Sequence, residues 1–356
     1  MIGFCFRTYR SNKGFTMVEL MVAMAIGVFF LNGILQIFSS SRQIYRVQEN
    51  LARLQENGRF AIDFISQDVR MAGYWGCSPK VPSMARLSNP GFFHKLEPTV
   101  EGFEAMPSKT WLPDLPSVFP KSGFDQVLEG SDILVIRKLD AQGFSVINHG
   151  SAAANLQLAA TSDQLEEAGI TKGSLVIATD CTSAEAFQVT NTGNPLEHVI
   201  AAPPETVTEA TTPRNKYDHL TKAYQNAKVH AVKVISYYVA TNANNEKLLY
   251  RRANGAVSSD DLQLVDGVEQ MQVLYGVDTA DADLSPNYYV NADDVNKNKN
   301  WDKVIAVRIS LLLATLDDNV TAHPLPYFFD GEKKTPEDRK IRRVFTSTIA
   351  LRNPLK

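Results

Sequence analysis

Five aspartates crowd one stretch of the C-terminal half: Asp278, Asp281 and Asp283, with Asp293 and Asp294 downstream. Calcium is the ion such a stretch would suit, because it takes about six to eight oxygen ligands from a flexible loop. The details fit poorly. The glycine of an EF-hand loop is missing, and counting twelve residues from Asp281 reaches Ala292 where a glutamate should sit. A solvated acidic loop accounts for these carboxylates better. Asp278, Asp281 and Asp283 stay as weak calcium candidates, and no other cofactor is expected. His94, His149, His198, His219, His230 and His323 show no zinc-ligand spacing. Neither a Gly-x-Ser-x-Gly elbow, a Walker loop nor a Gly-x-Gly-x-x-Gly turn occurs. No enzymatic activity is expected.

Arg339, Lys340, Arg342 and Arg343 form a basic cluster that could touch an acidic partner or DNA. Against DNA stands the whole-chain balance of 36 basic and 39 acidic residues, a formal charge of −3. A solvated edge, where charge keeps a strand from aggregating, is the better reading of the cluster. At 44% hydrophobic and 21% charged, the 356 residues have globular composition, which excludes a collagen-like or wholly disordered chain. Cys5, Cys77 and Cys181 are too few for a disulfide-dense scaffold, and their odd number leaves one over.

The remaining residue with chemical potential is Glu19, and its surroundings make it unusual. Phe15 to Phe38 are 24 residues broken only by Thr16, Glu19, Asn32 and Gln36. As a helix they span about 36 Å, enough for a bilayer core with some tilt. Ahead of them stand Arg7, Arg10 and Lys13 with no acid, so the front is expected to stay cytoplasmic and the rest to be exported. No Ala-x-Ala-like cleavage site follows Phe38. A carboxylate inside such a span costs about 2.5–3.5 kcal/mol unless it snorkels or finds a cation.

Beyond Phe38 the helical pattern continues. Ile44, Val47, Leu51, Leu54, Gly58, Ala61, Ile65 and Val69 step by three or four and make one apolar stripe. Arg46, Glu49, Arg53, Glu56 and Arg59 fall mostly off it, with Glu49 and Arg53 as an i,i+4 pair. Gly58 and Ala61 leave room for close approach. With no proline between Phe15 and Ala72, the spacing predicts one helix of about 87 Å, stopped at Gly73.

Eight of the seventeen prolines fall between Pro79 and Pro120, so 79–130 reads as a loop-rich surface excursion. After it, strands are expected at Ile133–Ile136, Leu175–Ala178, Phe187–Val189, Val229–Ala240, Lys247–Arg251, Gln270–Gly276, Val304–Leu313 and Val344–Leu351. Ile305, Val307, Ile309, Leu311 and Leu313 share one strand face, with Arg308 and Ser310 on the other. Asp163–Ala168 suits a single helical turn, and Ala201–Asn215 reads as a linker-like loop. The fold class is therefore α+β. A long N-terminal helix, half transmembrane and half amphipathic, packs on a mainly antiparallel β domain.

Lys13-Gly14-Phe15-Thr16-Met17-Val18-Glu19-Leu20 resembles the class III signal of type IV prepilins and pseudopilins. That resemblance implies cleavage after Gly14 by a cytoplasm-facing prepilin peptidase, methylation of the new amine on Phe15, and retention of the helix. It also implies that Glu19 pairs with a neighbouring subunit's N-terminal amine during assembly. Loss of residues 1–14 removes Cys5 and three basic side chains, taking the formal charge to −6. Cys77 and Cys181 then remain as an even pair in a segment expected to face an oxidising periplasm. They are either a disulfide, closing a loop of roughly 100 residues at up to about 4.7 kcal/mol, or two buried thiols.

Leu54-Gln55-Glu56-Asn57-Gly58-Arg59-Phe60-Ala61 and Asp68-Val69-Arg70-Met71-Ala72-Gly73-Tyr74-Trp75-Gly76-Cys77 are similar to the PilW family of minor pilins. So are Gly267-Val268-Glu269, Met271 to Asp278, Trp301 with Val304–Leu313, and Thr348-Ile349-Ala350-Leu351-Arg352-Asn353. The resemblance implies a pilin-like fold: a cleaved leader at 1–14, an assembly helix at 15–38, its amphipathic continuation at 39–73, and a periplasmic β-rich domain at 74–356. The implied function is a type IV pilus minor pilin that helps prime assembly and is incorporated at or near the tip. The implied location is the bacterial inner membrane, single-pass, then the extracellular pilus. The implied partners are the prepilin peptidase/methylase, other minor pilins, the major pilin, a tip adhesin, the inner-membrane assembly platform, and membrane lipid before assembly. Two rival readings are a minor tip pseudopilin of a type II secretion system and a membrane-tethered binding module.

Overall fold

A computed structural model describes residues 14, 16–78, 81–84, 87–88, 91–106, 110–116, 119, 127–191, 193–198, 214–253, 262–279 and 283–353. The leader residues 1–13, Phe15, Asp281 and positions 201–213 of the expected linker lie outside the described residues, whereas the linker's last two residues, Arg214 and Asn215, form a short strand. The chain divides into two compact units, Met1–Ala52 and Arg53–Lys356.

Helix α1, Met17–Arg70, runs for 54 residues, as a stretch free of proline allows. In the first unit its apolar side chains are exposed, Met17 by 85% and Phe29 by 78%. One polar group there is satisfied locally: Asn32 donates from Nδ2 to the carbonyl of Val28 at 3.0 Å. In the second unit the apolar stripe turns into core. Leu54, Ala61, Ile65 and Val69 are buried, whereas Ile44, at the start of the expected stripe, is exposed.

The first small strands are β1 (Leu87–Ser88), β2 (Val100–Ala105) and β3 (Trp111–Leu112). After them come β4 (Ile133–Asn148), β5 (Gln157–Leu158), helix α2 (Ser162–Glu167), β6 (Leu175–Thr179), β7 (Ala184–Gln188) and β8 (Arg214–Asn215). The chain continues through β9 (Lys228–Thr241), β10 (Lys247–Ala253), β11 (Leu262–Asp266), β12 (Val268–Val277), β13 (Tyr288–Val290) and helix α3 (Ala292–Asn298). It ends with β14 (Val304–Ala314), β15 (Tyr327–Phe329), β16 (Glu332–Lys334) and β17 (Arg342–Ala350). The region 79–130 is less of an excursion than its prolines suggest. Val100 and Phe103 are buried, and they hold β2 against β4.

Among the described residues, β11-β10-β9-β4-β2-β3 form the spine of a nine-stranded sheet, with β5, β6 and β7 branching from it. All its ladders pair antiparallel. Alternation places Ile133, Val135, Ile177, Val232 and Val234 in one core and Val176, Ala178, Val229 and Ala231 in another. A four-stranded antiparallel sheet, β13-β12-β14-β17, follows in sequence. Its Val307, Ile309, Leu311 and Leu313 are wholly buried while Arg308 and Ser310 are not, as the alternation of β14 requires.

Ser131 and Asp132 stitch the two sheets together. The β12 ladder with β13 covers only Tyr275–Val277, so the same edge is unpaired at Met271 and Val273. Asp132 donates its N–H to the Met271 carbonyl at 2.9 Å, and Ser131 Oγ accepts from the Met271 N–H at 3.0 Å. The Asp132 carboxylate accepts from Val273 N–H at 2.8 Å and, on its other oxygen, from Ala105 N–H at 2.9 Å. Two residues thereby stand in for a missing strand.

Candidate assembly site

The N-terminal segment carries a cap that the reading of Glu19 as an intersubunit partner overlooks. Thr16 stands immediately before α1, and its Oγ1 accepts from the Glu19 N–H at 3.3 Å. Glu19 Oε2 accepts in return from the Thr16 N–H at 3.4 Å. This is a capping box, and the Thr-x-x-Glu spacing that signals it is present in the sequence. A negative side chain also suits the positive end of the helix dipole. Gly14 lies two residues upstream and is exposed, and a Cβ there would meet nothing within 4 Å. By length and composition α1 can cross a membrane.

At its other end α1 is held by polar contacts. Asp68 is buried among three neighbouring strands: Oδ1 takes Lys138 Nζ from β4 at 2.7 Å, and Oδ2 takes the Tyr237 hydroxyl from β9 at 2.6 Å. Arg251 Nε, from β10, reaches Oδ2 at 2.9 Å. Burial works to raise the Asp68 pKa, but Arg251, Lys138 and Tyr237 together bring it below the ordinary value. Tyr237 and Arg251 face each other across the β9–β10 ladder, so alternation delivers both to one point.

The helix stops at Gly73, whose φ of +70° favours glycine. A Cβ there would also sit 2.5 Å from the Asn353 carbonyl. Asn353 donates from Nδ2 to the carbonyl of Ala72 at 3.4 Å, which ties the chain's last described residue to the helix end. Cys77 follows at once and forms a disulfide with Cys181, 104 residues away. The same economy recurs at Gly267, with φ +79° and a virtual Cβ 2.6 Å from the Ala314 carbonyl. Gly73, Cys77, Gly267 and Asn353 are thus positions where close backbone approach or covalent closure dictates the residue.

The described members of the acidic and basic clusters make local contacts. Asp278 accepts the Leu284 N–H and Asp283 the Ser285 N–H, while Asp281 lies outside the described residues. Asp293 and Asp294 occupy the first turn of α3, and Asp293 pairs with Lys297. Among the described residues no three His, Cys, Asp or Glu side chains form a group able to hold a metal ion. The basic run is not a uniformly solvated edge. The Arg342 side chain is 6% exposed and holds Glu269 bidentately at 2.7 and 2.9 Å, with Asp338 on its other side at 2.7 and 2.6 Å. That contact pulls Asp338 down to about 2. Arg339 and Arg343 are exposed.

Residues 236–353 match the family model of the type IV pilus-assembly protein W, and residues 9–31 match the prokaryotic N-terminal methylation motif. Over that C-terminal third the chain is similar to the PilW family. The matched C-terminal third contains the end of β9, the four-stranded sheet and the Arg342 clamp, and the motif contains Gly14, Thr16 and Glu19. The chain is also similar to the pilin-like protein PilA3 of Thermus thermophilus, 37% identical over 66 residues. The match covers 18% of this chain and only 28% of that relative. No solved structure matches. The methylation motif, the PilW match and the membrane-length helix together mark a type IV pilin-like protein.

Proposed function

We propose that this protein is a minor pilin that helps to prime type IV pilus assembly from the inner membrane and is incorporated at or near the tip. One observation carries the reading: a prepilin-type methylation motif and a PilW domain stand in the same chain. The prepilin peptidase cuts after Gly14 and methylates Phe15. The globular domain faces the periplasm, and the helix joins those of other minor pilins and the major pilin on the assembly platform. A preformed cluster of such helices offers the next subunit an apolar surface before a filament exists, which lowers the cost of the first additions.

The test is a count of surface pili in a deletion strain whose retraction motor is disabled. Retraction must be off, since few pili could otherwise mean rapid withdrawal. Near-absence of pili, restored by the wild-type chain but not by a Gly14 variant that resists cleavage, supports priming. Normal pili would remove the role. Loss of enzyme secretion with pili intact would point to a secretion pseudopilin.

A further inference from the structure

The β2–β4 ladder pairs Phe103 with Ile133, so its next step sets Glu104 opposite Asp132 on one face. Asp132 is 2% exposed and spends both oxygens on backbone N–H groups, one from each sheet. Glu104 accepts a single longer bond, from the Ala292 N–H of α3 at 3.3 Å. Two carboxylates in this position repel each other unless one carries a proton. Their surroundings offer no relief. Asp293 and Asp294 face them from α3 and Asp330 from the loop after β15. Glu101 of β2 is held by Arg137 of β4, and the ammonium of Lys297 by Asp293. Among the described residues no cation pairs with either member. From β12 comes the Tyr275 hydroxyl, wholly buried and without a partner among the described residues, which abuts Gly102 on the same strand as Glu104.

We propose that Glu104 and Asp132 are a proton-held clamp between the two sheets, closed while the pair keeps one proton and loosened when that proton is lost. The proton sits on Glu104, because two backbone donors favour the Asp132 anion while Glu104 has one weak donor. Its donation to Asp132 converts repulsion into a hydrogen bond. Burial, opposed by the Ala292 N–H and reinforced by Asp330, Asp293 and Asp294, pushes Glu104 up to about 7. Burial and the charge of Glu104 likewise push Asp132 up. A carboxyl whose pKa is raised in the folded state contributes stability that is full below its unfolded value, about 4, and is lost as pH rises through the folded one.

The experiment compares the full chain in detergent micelles with its Glu104→Gln variant at about pH 5.5 and about pH 8.5. Gln removes one charge, keeps an acceptor for Ala292 and supplies a donor for Asp132. The wild-type melting midpoint is expected to fall by about 3 °C or more between the two pH values, and the variant to lose that fall. Hydrogen-exchange protection at the Ala105 and Val273 amides should drop more at the higher pH than protection at Ile177, deep in β6. A wild-type midpoint that does not fall, a variant that keeps the same fall, or uniform changes across the three amides would overturn the clamp.

Discussion

Asp68 on the first helix accepts a 2.9 Å bond from Nε of Arg251, 183 residues further along the chain. With Lys138 and Tyr237 on the same carboxylate, one side chain fastens α1 to three strands at once. Its removal leaves two cations facing a vacant partner in a half-buried site.

Asp68→Asn is accordingly expected to cost about 3–5 kcal/mol in urea unfolding of the full chain, the range for breaking a buried ion pair from one side. Tyr237→Phe, which removes one hydrogen bond, should cost nearer 1 kcal/mol. The pH dependence has a definite sign. Because the Asp68 pKa is lowered on folding, its contribution is present above the unfolded value of about 3.9 and disappears as pH falls through the folded one. Asp68→Asn should therefore show a shallower acid transition than the wild type. Equal acid slopes would sink this account.

Much of the fold was legible because periodicity reports burial directly. The stripe from Leu54 to Val69 and the alternation in Val304–Leu313 are patterns of one face, and those faces are the buried ones. The ladder between β9 and β10 was foreseeable as two strands, but not the meeting of Tyr237, Arg251 and Asp68, which depends on register. Strand β2 escaped notice because Val100-Glu101-Gly102-Phe103 does not alternate cleanly and prolines surround it. Asp293 and Asp294 read as part of an acidic loop because nothing in the sequence reading marks helix α3 or its Asn291 cap, whose first turn they occupy. The Thr16 cap is readable in the Thr-x-x-Glu spacing, which the same Glu19 shares with the family's assembly role.

Gly58 tests close packing. A Cβ at this position would lie 2.5 Å from the ring of Phe345 on β17. Alanine gains about 1 kcal/mol of helix propensity, but overpacking costs about 1–3 kcal/mol, so Gly58→Ala is expected to destabilise by about 1 kcal/mol. Combining it with Phe345→Ala should recover the propensity gain relative to Phe345→Ala alone. A double-mutant cycle with no coupling between the two sites would remove the steric explanation.

The disulfide makes a redox-dependent prediction. Cys77 and Cys181 close a long loop just past the helix end. Cys77→Ser should lower stability by about 2–4 kcal/mol in oxidising buffer and leave it close to that of the reduced wild type in reductant. An equal loss under both conditions would assign the effect to packing around Cys77.

Glu19 has two candidate tasks, and substitution chemistry separates them. As a cap it needs only an acceptor for the Thr16 N–H, which glutamine supplies as well as glutamate does. As the partner of a neighbouring subunit's amine in an apolar assembly it needs the charge. Both Glu19→Ala and Glu19→Gln leave the second unit folded, since Glu19 lies outside it. Incorporation is read as the ratio of this chain in sheared pili to that left in the membrane. If charge pairing drives incorporation, both variants fall by about tenfold, equivalent to 1.4 kcal/mol. If capping is the whole contribution, Glu19→Gln restores what Glu19→Ala loses. The charge-pairing role predicts the first result, and normal incorporation of Glu19→Gln would end it.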